Sequence, residues 1–233
     1  STPPPIVQIY KSFIWRDHKV ISMELCNCDI YHAKLGKLTK ESLKIVMTDI
    51  FNGLIFLRDL KIIHGDLKPE NIFLIKEDTF NVVIGDFGLA QINRYDDKMT
   101  DFNIQTCWYR SPEVTLHIPY SYEIDAWSAC VIMLELIIDY PLFRAKTNET
   151  LFYLFIKIIG DNPETMIPKN PELKNFSVMG DLRCNLDHHI NKAIQLIKEN
   201  IFLELEPIVN GLLKWDPKKR ISLEECLEHI NNL

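Results

Sequence analysis

Apolar positions near the start of the chain follow first a strand-like and then a helical spacing. Two runs rich in β-branched and aromatic residues, 6–13 and 19–25, flank a polar turn and predict two paired strands. The pattern becomes helical from Asp29, Thr39 is a good N-cap, and Glu41 suits the first turn of a helix. One apolar face then recurs at helical spacing through Leu43, Val46, Met47, Ile50, Leu54 and Leu57.

Short apolar runs separated by polar turns occupy the middle of the chain. Residues 61–64 predict a short strand, and residues 71–75 and 82–84 predict a small hairpin around the polar turn 76–81. Residues 89–107 are polar and lack periodicity, so they predict a long loop. Loops of this length inside a compact domain are usually functional or disordered.

The second half of the chain is mostly helical in pattern. Residues 124–138 predict a buried helix, because this apolar run contains Glu135 and is shorter than the ~20 residues that span a bilayer. Residues 163–187 are irregular and contain proline. Further helices are predicted at 148–159, 188–200, 205–213 and 223–229. The predicted fold class is mainly α, with a small strand region (1–25) and a helical body (26–233).

Composition excludes several classes of function. The 233 residues are 47% hydrophobic and 25% charged, which is ordinary for a globular protein. A formal net charge of -6 argues against a nucleic-acid binder, since no basic excess is available to neutralise phosphates. The six cysteines contain no C-x-x-C pair, so reduced thiols are expected rather than disulfides or zinc. No membrane segment is predicted, and an intracellular location, cytoplasmic or nuclear, is expected.

Two polar loops, each fed by an apolar strand, carry the candidate chemistry. Residues 64–71 read HGDLKPEN, and residues 86–88 read DFG. Together they supply two carboxylates, an amide and a lysine. A phosphoryl transfer needs this equipment: a carboxylate that orients a hydroxyl, oxygens that hold magnesium, and a cation beside the transferred phosphate.

The two strings resemble the catalytic loop and the magnesium loop of the eukaryotic protein kinases, H-R-D-L-x-x-x-N followed by D-F-G. The resemblance implies ATP and Mg²⁺ as cofactors and a Ser or Thr hydroxyl of a protein as the acceptor. It assigns Asp66 as the base and Lys68 as the group that steadies the phosphate. Asn71 and Asp86 would hold the magnesium.

Further strings extend the resemblance over most of the chain. Residues 106–113 (TCWYRSPE) are similar to the end of a kinase activation segment, in which Thr106 and Arg110 would lie. Glu113 would pair with Arg220 of the DPKKR string; the alternative is two unrelated surface charges. The resemblance also assigns an adenine site and structural positions: Met23, Glu24, Cys26 and Phe73 for ATP, and His64, Phe87 and Asp125 for the framework of the loops.

Within the protein kinases, the sequence is most similar to the CMGC branch, which includes cyclin-dependent, MAP, dual-specificity tyrosine-regulated and SR-protein kinases. It rests on IQTCWYRSPE (104–113), on PLF after the apolar helix, and on the long segment 151–187. Ile104, Gln105 and the Ser of YRSPE favour the last two groups. By analogy, Arg110 would lie near the substrate pocket, and Pro would be preferred after the phosphorylated residue.

One departure from the family pattern concerns regulation. Gly65 replaces the Arg of H-R-D, which in the family pairs with a phosphate on the activation loop. Asp101 lies where cyclin-dependent kinases carry their activating Thr, and its carboxylate is a weaker charge than the roughly -2 of a phosphate. We therefore expect an enzyme that is competent without activation-loop phosphorylation, although Thr100 keeps the alternative open.

The second departure concerns the ATP cover. No Gly-rich loop, strand Lys or helix Glu precedes Ile6. Residues 1–25 are therefore expected to be the last two strands and hinge of a small lobe, and 26–233 the large lobe. The remaining small lobe would be supplied by the rest of the native chain, and this portion alone would bind ATP poorly and be inactive. The alternative function is a non-catalytic decoy or inhibitor of another kinase.

Overall fold

The computed structural model describes residues 3–76, 79–93, 97–160, 166, 169–170, 173 and 182–233, with only the backbone for 182–186. The polar turn expected at 76–81 and the irregular segment expected at 163–187 thus lie partly outside the described residues. None of the helices in the described part of the chain is long and apolar enough to cross a membrane.

The chain opens with an antiparallel hairpin of β1 (Ile9–Trp15) and β2 (His18–Met23). Its turn residues Arg16 and Asp17 have φ values of 47° and 64°, the left-handed pair that a two-residue hairpin turn uses. The predicted pairing is confirmed, but β1 begins later than residue 6. The preceding residues bond to another sheet instead, since Val7 N–H donates to the Ile84 carbonyl at 2.9 Å.

Two small sheets underlie the polar loops. β3 (Cys28–Asp29), β5 (Ile72–Leu74) and β6 (Val82–Ile84) form an antiparallel sheet with β5 in the centre, and β4 (Ile62–Ile63) pairs with β7 (Gln91–Ile92). The hairpin predicted in this region is confirmed. Two predictions were wrong: the chain at Asp29 is a strand rather than the start of a helix, and the expected long loop contains β7.

Seven α-helices lie in the described part of the chain. The apolar run predicted as a buried helix is confirmed as a helix that starts at Glu123. The helix predicted at 188–200 begins earlier, at Leu182, and a short helix at Pro112–Thr115 was not predicted. The helices are α1 (Lys40–Asp59), α2 (Pro112–Thr115), α3 (Glu123–Ile138), α4 (Asn148–Ile159), α5 (Leu182–Asn200), α6 (Glu206–Leu212) and α7 (Leu223–Asn231).

The core surrounds α3, which is buried on nearly every side, and α1 packs between α3, α7 and β6. Thr39 caps α1 by accepting the Ser42 N–H at 3.3 Å, and all six positions of the predicted apolar face are buried. Trp127 stacks with Phe143 and meets Phe155 edge-on. The predicted mainly α class is confirmed. Because α3 is fixed by this packing, its first turn is a rigid support for the polar loops above it.

Candidate active site

The two polar loops meet at Gly85. Its N–H donates to the Asn71 carbonyl at 2.9 Å, and its carbonyl accepts from His64 Nε2 at 3.0 Å. The other ring nitrogen of His64 accepts the Asp66 N–H at 3.2 Å, so the neutral tautomer with a proton on Nε2 satisfies both bonds. The ring of Phe87 lies 5.2 Å from that of His64. The imidazole therefore fixes the spacing of the loops.

Asp125 anchors the loop at 64–71 from the first turn of α3. Its carboxylate accepts the N–H groups of His64 at 2.7 Å and Gly65 at 3.0 Å, and the side chain is buried. Burial raises the pKa of Asp125, an effect that the two N–H donors oppose. The loop is thus attached to a helix that is buried on nearly every side.

Asp66 is surrounded by donors. Its carboxylate accepts the N–H of Thr106 at 2.9 Å, the Thr106 hydroxyl at 2.7 Å and the Lys68 ammonium at 2.8 Å. Lys68 also donates to the Thr106 hydroxyl oxygen at 3.2 Å. These bonds bring Asp66, Lys68 and Thr106 together, as one cluster at the point where the loop meets the segment 99–113.

Asn71 and Asp86 present oxygens on the two loops. Asn71 Nδ2 donates to the Asp66 carbonyl at 2.8 Å, which leaves the amide Oδ1 as a possible ligand. Asp86 is exposed and has a φ of 58°, and its carboxylate accepts the Gly88 N–H at 3.1 Å. Among the described residues no cluster of three or more His, Cys, Asp or Glu could hold a metal. This set of two side chains fits Mg²⁺, which keeps waters and substrate phosphates as its other ligands.

The residues assigned to adenine lie where β2 leads into the three-stranded sheet. Met23 is half-exposed, and the Glu24 N–H donates to the Gln8 carbonyl at 2.7 Å. Burial raises the pKa of the Cys26 thiol. The Phe73 ring lies against Gly85, because a Cβ placed on that glycine would be 2.9 Å from the ring. Phe73 is thus close to the residue before Asp86.

Arg220 and Glu113 form a bidentate ion pair with both N–O distances at 2.7 Å. The side chains are 1% and 0% exposed, so they are not unrelated surface charges. Arg220 also donates to the carbonyls of Lys214 and Glu123 at 3.0 Å and lies over the Trp127 ring at 5.1 Å. The pair ties the end of the segment 99–113 to the chain before α7.

Gln105 is the site residue whose role sequence reasoning missed, having used it only as a subgroup marker. It is 3% exposed, and its side chain makes four hydrogen bonds. The only signal in the sequence is an amide between Ile104 and Thr106 in a segment with no periodicity. Arg110, by contrast, was expected near the substrate and donates to the Gln105 carbonyl at 2.9 Å and to Asn148 Oδ1 at 2.7 Å.

Comparison of the sequence with known proteins identifies a family. Residues 1–230 match the family model described as "Protein kinase domain". The chain is 31% identical over 97% of its length to mitogen-activated protein kinase 5 of Oryza sativa subsp. indica. It is 32% identical over 91% of its length to the human serine/threonine-protein kinase MAK, and 29% identical over 97% to cyclin-dependent kinase F-3 of Oryza sativa subsp. japonica.

The chain spans 59% of the rice mitogen-activated kinase, 51% of the rice cyclin-dependent kinase and 34% of human MAK. The family uses ATP and Mg²⁺ and acts on protein substrates, as the sequence resemblance implied. The relatives that it matches are CMGC serine/threonine kinases, and the chain itself belongs to the protein kinase domain family.

Proposed function

We propose that this chain carries the phosphoryl-transfer groups of a serine/threonine protein kinase, with Asp66 as the catalytic base. The oxygen of a substrate Ser or Thr attacks the γ-phosphorus of ATP, the bond from that phosphorus to the β–γ bridging oxygen breaks, and ADP leaves. The hydroxyl proton passes to the Asp66 carboxylate. The donors around Asp66 support this role, because they fix the direction in which the carboxylate faces.

Lys68 and the two loop oxygens complete the proposed site. Lys68, held by Asp66 and Thr106, would place its ammonium beside the transferred phosphoryl group. Asn71 and Asp86 would hold the magnesium, which supplies positive charge against the phosphate oxygens. Met23, Glu24, Cys26 and Phe73 would line the adenine side. Arg110 would lie near the substrate pocket, where a Pro after the acceptor residue is the expected preference.

The hairpin supports the proposed division into strands and hinge (1–25) and large lobe (26–233). Ile14, Trp15 and Leu25 are 77%, 57% and 92% exposed. A two-stranded hairpin is marginal by itself in water, and such apolar side chains are normally covered. We propose that the rest of a small lobe, from outside residues 1–233, covers the hairpin and the ATP phosphates.

The observation that carries this proposal is the donor cluster at Asp66, and Asp66→Asn tests it. In the protein made from its complete reading frame, the variant should lose phosphate transfer to a Ser/Thr peptide by roughly 10² to 10⁴-fold while its unfolding midpoint is kept. Asp59→Asn is the matched control, since Asp59 is exposed at the end of α1 and its carboxylate pairs with Arg58 of the same helix. Full transfer by Asp66→Asn would refute the assignment of the base.

A non-catalytic decoy or inhibitor of another kinase is the second candidate. One observation favours it: Ile14 and Leu25 are 77% and 92% exposed, and exposed apolar surface of this kind can bind another protein. The same assay separates the two functions. A complete protein that transfers no phosphate with ATP and Mg²⁺, yet inhibits a CMGC kinase when added to it, would establish the decoy function.

A further inference from the structure

The side chain of Gln105 has all of its hydrogen-bonding capacity in use. Nε2 donates to the Ile124 carbonyl at 3.0 Å and to Ser128 Oγ at 2.9 Å, both on α3. Oε1 accepts the Ser111 N–H at 3.0 Å and the Ser111 hydroxyl at 3.2 Å. An amide has two N–H donors and an oxygen with two lone pairs, so no bond is left to make. A buried network of this kind specifies one arrangement of its members.

The backbone of Gln105 extends the same connections to the catalytic loop. Its N–H donates to the Gly65 carbonyl at 2.7 Å, and its carbonyl accepts Arg110 Nη2 at 2.9 Å. The residue has a φ of 61°, in the left-handed region that is costly for a side chain with a Cβ. The next residue is Thr106, which donates twice to Asp66. Gln105 thus joins α3, the end of the segment and the catalytic base.

Apolar packing supports this junction where the family places an arginine. Gly65 has a φ of 75°, and a Cβ at that position would lie 2.5 Å from Ile104 Cδ1. Ile104 therefore occupies the space beside Gly65, within a buried cluster. The cluster also contains Ile63, Val114, Tyr120 and Ile124, with Met99, Phe102 and Tyr122 packed against it. The segment 99–113 is therefore held at Gly65 by uncharged interactions, namely apolar packing and the hydrogen bonds of the Gln105 amide.

Among the described residues, no charge pair forms at Asp101, the position expected for a phosphate. The Asp101 carboxylate accepts the Asn103 N–H at 3.1 Å, and within the described ranges no basic side chain pairs with it. The chain at Asp101 is held by its backbone, because the Tyr120 hydroxyl donates to its carbonyl at 2.6 Å. The idea that Asp101 replaces a phosphate in an ion pair therefore gains no support from these contacts.

We propose that Gln105 is the positioning residue of this kinase: it fixes residues 104–111 against the catalytic base and so makes the substrate site independent of activation-loop phosphorylation. The inference rests on the proposed kinase function. Gln105 touches neither the acceptor hydroxyl nor the phosphate; it acts through Thr106 and Ser111. Losing its side-chain bonds leaves the Ser111 N–H and hydroxyl without their acceptor and removes two donors from α3, which displaces the surface that receives the protein substrate.

Gln105→Met, which keeps the length of the side chain but removes its amide, tests this in the complete protein. We expect KM for a Ser/Thr peptide to rise about 10-fold or more with KM for ATP unchanged. In the variant, backbone hydrogen exchange should quicken at positions 105, 106 and 111. Gln195→Met is the matched control, because Gln195 is exposed on α5 and its side chain donates to Glu199 on the same helix. Phosphatase treatment of the wild type should leave its activity unchanged.

The outcomes separate this inference from the proposed function. The inference would be overturned if Gln105→Met left both the peptide KM and the hydrogen-exchange rates unchanged. It would also be overturned if the variant raised the KM for ATP as much as the KM for the peptide. Loss of wild-type activity after phosphatase treatment would overturn the phosphate-independent part. A wild type that transfers no phosphate at all would refute the kinase function, whereas faster exchange in the variant would still support the placement of Gln105.

Discussion

Glu113→Gln removes one charge of the buried ion pair with Arg220 and keeps the shape of the side chain. In the wild type two parallel bonds of 2.7 Å join the guanidinium to the carboxylate. An amide offers only one acceptor oxygen, so its NH₂ group would face a donor of Arg220. The variant thus loses at least one of the two bonds and leaves the arginine charge without a counter-charge.

The side chains of Arg220 and Glu113 are 1% and 0% exposed, so removing one partner should cause a large loss of stability. Breaking a buried pair costs about 3–5 kcal/mol, because the remaining charge stays out of water. The remaining carbonyl acceptors and the Trp127 ring moderate this loss, so we expect a value near the lower limit. For a chain of this size a loss of about 3 kcal/mol corresponds to a fall in Tm of about 6–12 °C.

Equilibrium urea unfolding of the complete protein, with thermal unfolding beside it, measures this loss. Glu204→Gln is the matched control: Glu204 pairs with Lys40 at 2.7 Å, but both side chains are well exposed, at 42% and 37%. Exposed pairs contribute little, so that variant should unfold like the wild type. Glu113→Leu combined with Arg220→Met should recover part of the loss, since it removes both buried charges.

Equal stability of Glu113→Gln and the wild type would contradict the reasoning. So would a double variant that loses the sum of the two single losses, because the two residues would then act independently.

Two further predictions follow from buried groups near the site and near α5. Gly65→Ala should destabilise the protein by about 1–3 kcal/mol more than Gly36→Ala, since both glycines have positive φ but only Gly65 faces Ile104. Adding Ile104→Val should relieve part of the difference. Equal losses of stability in urea unfolding would exclude the packing explanation. Burial lowers the pKa of His189, so the unfolded chain binds a proton before the native chain does. Stability should therefore fall as the pH drops below about 6.5, and His189→Gln should flatten that slope; an unchanged slope would assign the effect to other groups.

Local patterns in the sequence were sufficient for most of the framework. The face of α1, the limits of α4 and the buried character of α3 depend on apolar periodicity and capping residues, which act within one element. The strings at 64–71 and 86–88 were sufficient to name candidate chemistry, because they resemble the catalytic and magnesium loops of the protein kinases. The sequence missed two strands that form only by pairing with a distant part of the chain. Asp29 pairs with Phe73, and Ile92 pairs with Ile62.

The sequence by itself determined which residue types are available to the site and which helices build its support. Only the tertiary structure decided how they are joined. Gly65 read as a missing arginine, but in the fold it is the one residue type whose backbone and size allow Ile104 to lie beside it. Gln105 read only as the marker of a kinase subgroup, but its four side-chain hydrogen bonds join it to α3 and to Ser111. No local rule contains such information, because hydrogen bonds between distant segments are satisfied only once the chain has folded.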